Sequence, residues 1–170
     1  MKKENSILTV SKRLVLGGAL LATLSSSAFA GQGGLTAGYT SADIDGTSAS
    51  GVSIGYGAYF GETYKQSIGF NIDFIGDNNS NNEEKGNMGN IYYTLGYEIL
   101  PKTIAYGTVG YGFQALGSSA YATGVSTGVG IQYNMTKNFA IDASYKNFDL
   151  SYQDLDYDVK TTNISLVFKY

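Results

Sequence analysis

Three charged residues stand where they can do chemistry together: Asp73, Asp142 and Lys146. Each falls on the small, polar side of a segment whose residues alternate in character, Asp73 beside Gly69 and Asn71, Asp142 and Lys146 either side of Ser144. Asp73 stands about seven residues, and Lys146 about eight, from the short connections that begin their segments. If both segments line one interior, the carboxylate and the ammonium meet across it, with Asp142 nearer the same end. Two chemistries suit such a set. A confined, partly desolvated interior demands that charges be compensated, so the set can be a structural network. The same residues can also gate a narrow ion path. Glu98 and Lys169 lie on the corresponding face near a rim, within reach of water.

Other chemistries are poorly served. The chain has no His and no Cys. It therefore lacks the commonest general base, the commonest zinc ligand and any disulfide framework. Ser and Thr are plentiful but have no identifiable base, so an enzyme is not expected. Acidic residues gather in the polar connections: Asp43, Asp45, Asp77, Glu83, Glu84, Asp149, Asp154, Asp156 and Asp158. Such oxygens can hold Ca²⁺ or Mg²⁺, but a solvated acidic surface is the simpler reading. Asp154-x-Asp156-x-Asp158 lacks the Gly and the distal Glu of an EF-hand loop. The Gly-rich runs 107–112 and 124–130 keep strand parity and no helix follows them, so they are not phosphate loops. No cofactor is expected.

The first 30 residues are set apart. Lys2, Lys3, Lys12 and Arg13 precede an apolar run, Leu14 to Leu24, and the segment ends Ala28-Phe29-Ala30. That is the pattern of a secretory signal with cleavage after Ala30. As a helix the run would cover only about 16 Å, short of a hydrocarbon core of roughly 30 Å. Residues 31–170 then hold seven Lys against thirteen Asp and Glu, a net charge of −6, the opposite of a nucleic-acid footprint.

No long apolar stretch follows, so a membrane fate requires a closed barrel, the other structure that satisfies every backbone group in lipid. Period-two alternation predicts eight strands, near 33–42, 50–61, 66–76, 89–100, 103–115, 122–134, 138–149 and 159–170. At ten to thirteen residues they suit tilted membrane strands, and soluble strands are usually shorter. Connections alternate in kind. Gly61–Lys65, Leu100–Lys102 and Met135–Lys137 are brief; Asp43–Ser48, Asp77–Asn87, Leu116–Tyr121 and Leu150–Asp158 are longer and polar. Short periplasmic turns and longer outer loops are the expected asymmetry, and it leaves both termini in the periplasm. Asp77–Asn87 reads as a mobile polar tip.

One face of these strands carries Leu, Ile, Val, Phe and Tyr; the other carries Gly, Ser, Thr, Asn and Gln. A soluble barrel turns its apolar face inward. An eight-stranded barrel, however, has room only for its own side chains. The face with Gly at 38, 55, 57, 69, 96, 110, 112, 128 and 130 fits that interior, with Tyr59, Tyr92 and Tyr106 filling the space glycine leaves. The apolar face then meets lipid. Phe60, Phe74, Phe113, Tyr133, Phe139, Tyr145 and Tyr170 lie near strand ends, at the depth of interfacial aromatic girdles.

The last strand carries the sharpest signal: Ile164, Leu166, Phe168 and a terminal Tyr170 alternate to the end of the chain. This resembles the signature by which the barrel-assembly machinery recognises its clients. With it, residues 31–170 resemble the OmpA/OmpX-type eight-stranded outer-membrane β-barrel superfamily. The resemblance implies an all-β fold, an eight-stranded antiparallel up-and-down transmembrane barrel in the bacterial outer membrane, in contact with lipid and lipopolysaccharide. It implies a non-enzymatic envelope or surface-interaction role, with loops available to a surface ligand. The alternative is a small porin-like channel lined by Asp73, Asp142 and Lys146.

Overall fold

The computed structural model describes residues 32–44, 46–76, 85–116, 120–153 and 155–170. Residues 1–30, most of the 77–87 connection, Asp45 and Asp154 lie outside the described residues. Eight strands follow one another: β1 (Gln32–Ile44), β2 (Thr47–Phe60), β3 (Tyr64–Gly76), β4 (Lys85–Leu100), β5 (Thr103–Leu116), β6 (Ala120–Asn134), β7 (Phe139–Tyr152) and β8 (Leu155–Lys169). Each pairs antiparallel with the next, and β1 pairs with β8, closing the barrel. Paired bonds between Gly33 and Tyr170 complete the seam, at 3.1 and 2.9 Å.

Parity is as the sequence implies. Ile54 and Leu166 are 48% and 58% exposed on the outer surface, whereas Asn71 and Ser165 are each 7% exposed. Glycine makes the room expected of it. A methyl at Gly69 would stand 2.9 Å from the Tyr92 ring, and one at Gly130 would collide with Tyr106.

The brief connections are shaped locally. After β2, Gly61 takes a φ of 88°, and after β4, Lys102 takes 67° with its N–H donated to Glu98 Oε1 at 2.8 Å. After β6, Thr136 Oγ1 accepts from the N–H groups of Asn138 and Phe139 at 3.2 and 3.0 Å.

Two expectations are corrected. The segments 43–48, 116–121 and 150–158 are not long loops. The strands run through them, so β1 and β2 are separated by 45–46, β5 and β6 by 117–119, and β7 and β8 by 153–154. Strands of 13–16 residues result. At about 3.3 Å per residue and a tilt near 45° they rise roughly 33 Å, beyond an apolar band about 25 Å tall. Polar residues continue a ladder as well as apolar ones do; Asp149 pairs with Asp158 and Asp43 with Lys160.

The second correction concerns the interior. It is not small and polar throughout. Near its outer end Ala42, Ala49, Ile75, Met88, Ala122, Phe148, Leu150 and Val159 form a buried apolar cluster. The strands keep their phase, but the character of the two faces inverts. Along β7, Ile141 and Tyr145 face outward and Asp142 and Lys146 inward; higher up, Asp149 faces outward and Phe148 and Leu150 inward. Along β8, Ile164 and Leu166 face out, then Lys160 and Asp158, with Val159 turned in. Above the lipid the barrel follows the rule of a soluble one, apolar inside and polar outside.

Candidate functional site

Below the apolar cap the lumen holds a cavity of about 940 Å³. Its walls come from all eight strands, and its mouth from the short connections, with Glu62, Lys102 and Lys137 among its lining. No residue of the cap lines it. The cavity thus faces the periplasmic end and ends blindly beneath Phe148 and Met88.

Inside it the charges are held apart by neutral groups. Lys146 Nζ donates to Asn71 Oδ1 at 3.0 Å, and Asn71 Nδ2 donates to Asp73 Oδ2 at 2.9 Å. The amide of Asn71 therefore connects the ammonium and the carboxylate that the sequence places across the lumen from each other. Among the described residues the ion pair in direct contact is Lys160–Asp158, on the outer surface. Lys146 Nζ also lies 4.7 Å from the centre of the Tyr92 ring, a cation–π arrangement. Asp142 is held separately: the Tyr106 hydroxyl lies 2.9 and 2.7 Å from its two oxygens and donates to the carboxylate. Ser126 Oγ donates to Asn90 Oδ1 at 2.8 Å just under the cap.

Lys169 forms a second group at the mouth. Its Nζ donates to Asn134 Oδ1 at 2.8 Å, Gln132 Nε2 donates to the same oxygen at 2.9 Å, and the Tyr59 ring centre is 5.0 Å from the ammonium. Glu98 is not part of the interior network; it is exposed and anchors the β4–β5 turn through the Lys102 N–H. Asp73, Asp142 and Lys146 thus share one lumen, Lys169 sits below them, and Glu98 belongs to the rim. Asn71, Asn134 and Gln132 carry connections and were not singled out from the sequence, and Tyr106, which the sequence offers only as a filler of the lumen, carries the one to Asp142. Parity was the available signal. Asn71 lies two residues before Asp73, on the same face.

The C-terminal quartet faces the other way. Ile164, Leu166, Phe168 and Tyr170 all project from the outer surface. Phe168 packs against Phe139 and Tyr170, with ring centres 5.2 and 6.1 Å away, an aromatic patch at the periplasmic interface. Tyr56 also faces outward but is buried, 6.4 Å from Phe70. No group of His, Cys, Asp and Glu able to hold a metal occurs among the described residues.

Comparison with known proteins agrees with this architecture. The attachment invasion locus protein of Yersinia pestis, Ail, superposes with a TM-score of 0.56 at 21% identity, covering 84% of this chain and 100% of that one. Neisserial surface protein A does so with a TM-score of 0.56 at 16% identity, covering 82% and 96%. The N-terminal β-barrel domain of Pseudomonas aeruginosa OprF gives 0.54 at 16% identity, covering 82% and 99%. At these identities the likeness is one of fold. No curated protein sequence matches the chain. The model of the outer membrane protein β-barrel domain matches residues 14–170. With a closed barrel whose greasy side faces outward, that match places the protein in the bacterial outer membrane, and the chain belongs to the outer membrane protein β-barrel family.

Proposed function

We propose that this barrel is a non-enzymatic, non-conducting surface protein that acts through its outer end, after removal of residues 1–30 as a secretory signal. The observation that carries the reading is the apolar cap. Phe148, Met88, Leu150 and Val159 are buried across the lumen between the cavity and the outer surface. A hydrated ion would have to displace packed side chains and give up its water there. The continuous β7–β8 and β1–β2 ladders support the reading further, since they offer a rigid rather than a loose surface.

The charge of that surface bears on its partner. Asp43, Asp149, Asp156 and Asp158 are exposed there, with Lys160 the counter-charge beside them. Ail has been crystallised with the heparin analogue sucrose octasulfate. A polyanion of that kind is a poor match for the outer end of this chain, which favours a basic partner surface; lateral contact with lipopolysaccharide phosphates would need bridging cations. Ile164, Leu166, Phe168 and Tyr170 serve, in this reading, as the recognition strand for the barrel-assembly machinery.

Planar-bilayer recording of the purified protein tests the central claim. Wild type should be silent, and the double substitution Phe148→Ala, Leu150→Ala should produce conductance steps. Steps in the wild type that vanish in Lys146→Ala would overturn the reading in favour of a channel lined by Asp73, Asp142 and Lys146.

A further inference from the structure

The blind end of the cavity holds charges of both signs whose bonding capacity is not used up. Among the described residues five Lys and four carboxylates line the lumen and its mouth. A ligand with a net charge of either sign therefore meets nearly as much repulsion as attraction there. A neutral molecule carrying both charges does not, provided each end meets its opposite.

The partners for such a molecule stand together under the cap. Asp73 pairs with Met88 of the cap across the β3–β4 ladder, and Lys146 stands two residues before Phe148. Both line the cavity. Asp73 is 3% exposed, and its Oδ1 is buried with no hydrogen-bond partner among the described residues. Its other oxygen takes one N–H from Asn71, and the Ser53 hydroxyl, opposite it in the β2–β3 ladder, acts on the same carboxylate. A carboxylate offers about four acceptor sites, so roughly half remain. Lys146 donates to Asn71 Oδ1, and among the described residues it touches no carboxylate. An ammonium has three donors, so it too has capacity left. The Asn71 amide keeps the two charges from closing on each other. Ionised groups buried in this state are costly unless a further partner completes them.

The gap has the length of a small zwitterion. The bonds through Asn71 measure 3.0 and 2.9 Å, and the oxygen and nitrogen of an amide are about 2.3 Å apart, so Lys146 Nζ and Asp73 Oδ2 lie within about 8 Å of each other. An α-amino acid has its ammonium and carboxylate about 3 Å apart, and a charge-assisted hydrogen bond of about 2.8 Å at each end extends its reach to roughly that length. Ser53, Asn71 and Thr161, buried in the same part of the cavity wall, add neutral polar groups. Thr161 lies opposite Lys146 in the β7–β8 ladder. At about 940 Å³ the cavity has ample room for a molecule of this size, and the periplasmic mouth admits it.

We propose that the blind end of the lumen binds a small zwitterion of the α-amino acid type, whose ammonium donates to Asp73 Oδ1 and whose carboxylate accepts from Lys146. Binding completes both buried charges and leaves the net charge of the lumen unchanged. The site is independent of whatever the outer surface contacts, since it lies on the other side of the cap and requires no passage through it.

The test uses the protein purified from outer membranes, placed in lipid nanodiscs and carrying ¹³Cγ-labelled aspartate and ¹³Cε-labelled lysine. It is titrated with glycine and with the two halves of that molecule, acetate and methylammonium. The expected result is a saturable shift at both Asp73 and Lys146 with glycine, affinity about tenfold weaker for either half, and no movement at Asp158 and Lys160. Asp73→Asn and Lys146→Met should each weaken glycine binding about tenfold, the loss of one charge-assisted hydrogen bond. Each should also reverse the preference, the first towards acetate and the second towards methylammonium. Three results would each overturn the proposal: a glycine titration that leaves either residue unshifted, a half-molecule that binds the wild type as well as glycine does, or glycine affinity unchanged in both variants. If neither variant gives a heat-modifiable, folded band, the wild-type comparison of glycine with its halves decides the matter.

Discussion

Phe148 is the largest side chain fully buried in the cap, 0% exposed, whereas Phe74 faces lipid at 41% exposure. The same substitution at the two positions separates packing from transfer. At Phe74, lipid flows into the space vacated by Phe→Ala, so the loss is close to a transfer cost of about 1.5–3 kcal/mol. At Phe148 no solvent of matching polarity can enter. The ring lies against the backbone of Gly112, where a methyl would stand 2.5 Å from its Cδ1, and beside Leu150 in the same cluster. Removing about 100 Å³ there adds a cavity cost of roughly 24 cal/mol per Å³ if nothing collapses, about 2.4 kcal/mol. Phe148→Ala should thus cost about 3–5 kcal/mol, and more than Phe74→Ala by about 2 kcal/mol. Urea unfolding of both variants in lipid nanodiscs, followed by far-ultraviolet circular dichroism, measures the difference. Equal costs, or a larger cost at Phe74, would refute the idea that the outer lumen is a packed apolar core.

Three further outcomes are expected. Tyr106→Phe removes the hydroxyl that serves both oxygens of Asp142 and should destabilise the barrel by about 1.5–3 kcal/mol in the same unfolding assay, while Tyr93→Phe, whose hydroxyl bonds Gln66 at the exposed outer surface, should cost under about 1 kcal/mol. Gly130→Ala should fold poorly because its methyl meets the Tyr106 ring, and adding Tyr106→Ala should restore the heat-modifiable band on a gel; a single variant that folds like wild type would count against the close approach. Nitroxide-quenched fluorescence from single-cysteine labels should respond to lipid-borne quencher at Ile54, Leu95 and Leu166 but not at Asn71 or Ser165; quenching at the latter pair would invert the inside and outside of the barrel.

Much of the fold was legible because one local rule governs it. Between Leu35 and Tyr39, Val52 and Phe60, or Ile164 and Tyr170, alternation in a single phase identifies a strand and the face it turns to lipid. The rule failed where lipid stops. Asp43, Asp156 and Asp158 look like loop residues because their polarity breaks the greasy face, yet the ladder runs on through them. The inversion was written in the same residues: Phe148, Leu150 and Val159 occupy the inward phase. It becomes visible only when strand phase is followed past the point where the outer face turns polar.

The amino-acid order by itself determined the number of strands, their phase and the closed barrel that lipid demands. Each follows from backbone geometry and burial of one face, both local in sequence. Only the tertiary structure decided that Asn71 stands between Lys146 and Asp73, that Tyr106 on β5 serves Asp142 on β7, and that the lumen opens at one end and is packed shut at the other. Those relations join residues from strands that are distant along the chain, and they depend on the barrel's radius and stagger, which bring side chains to a common height only once the sheet has closed.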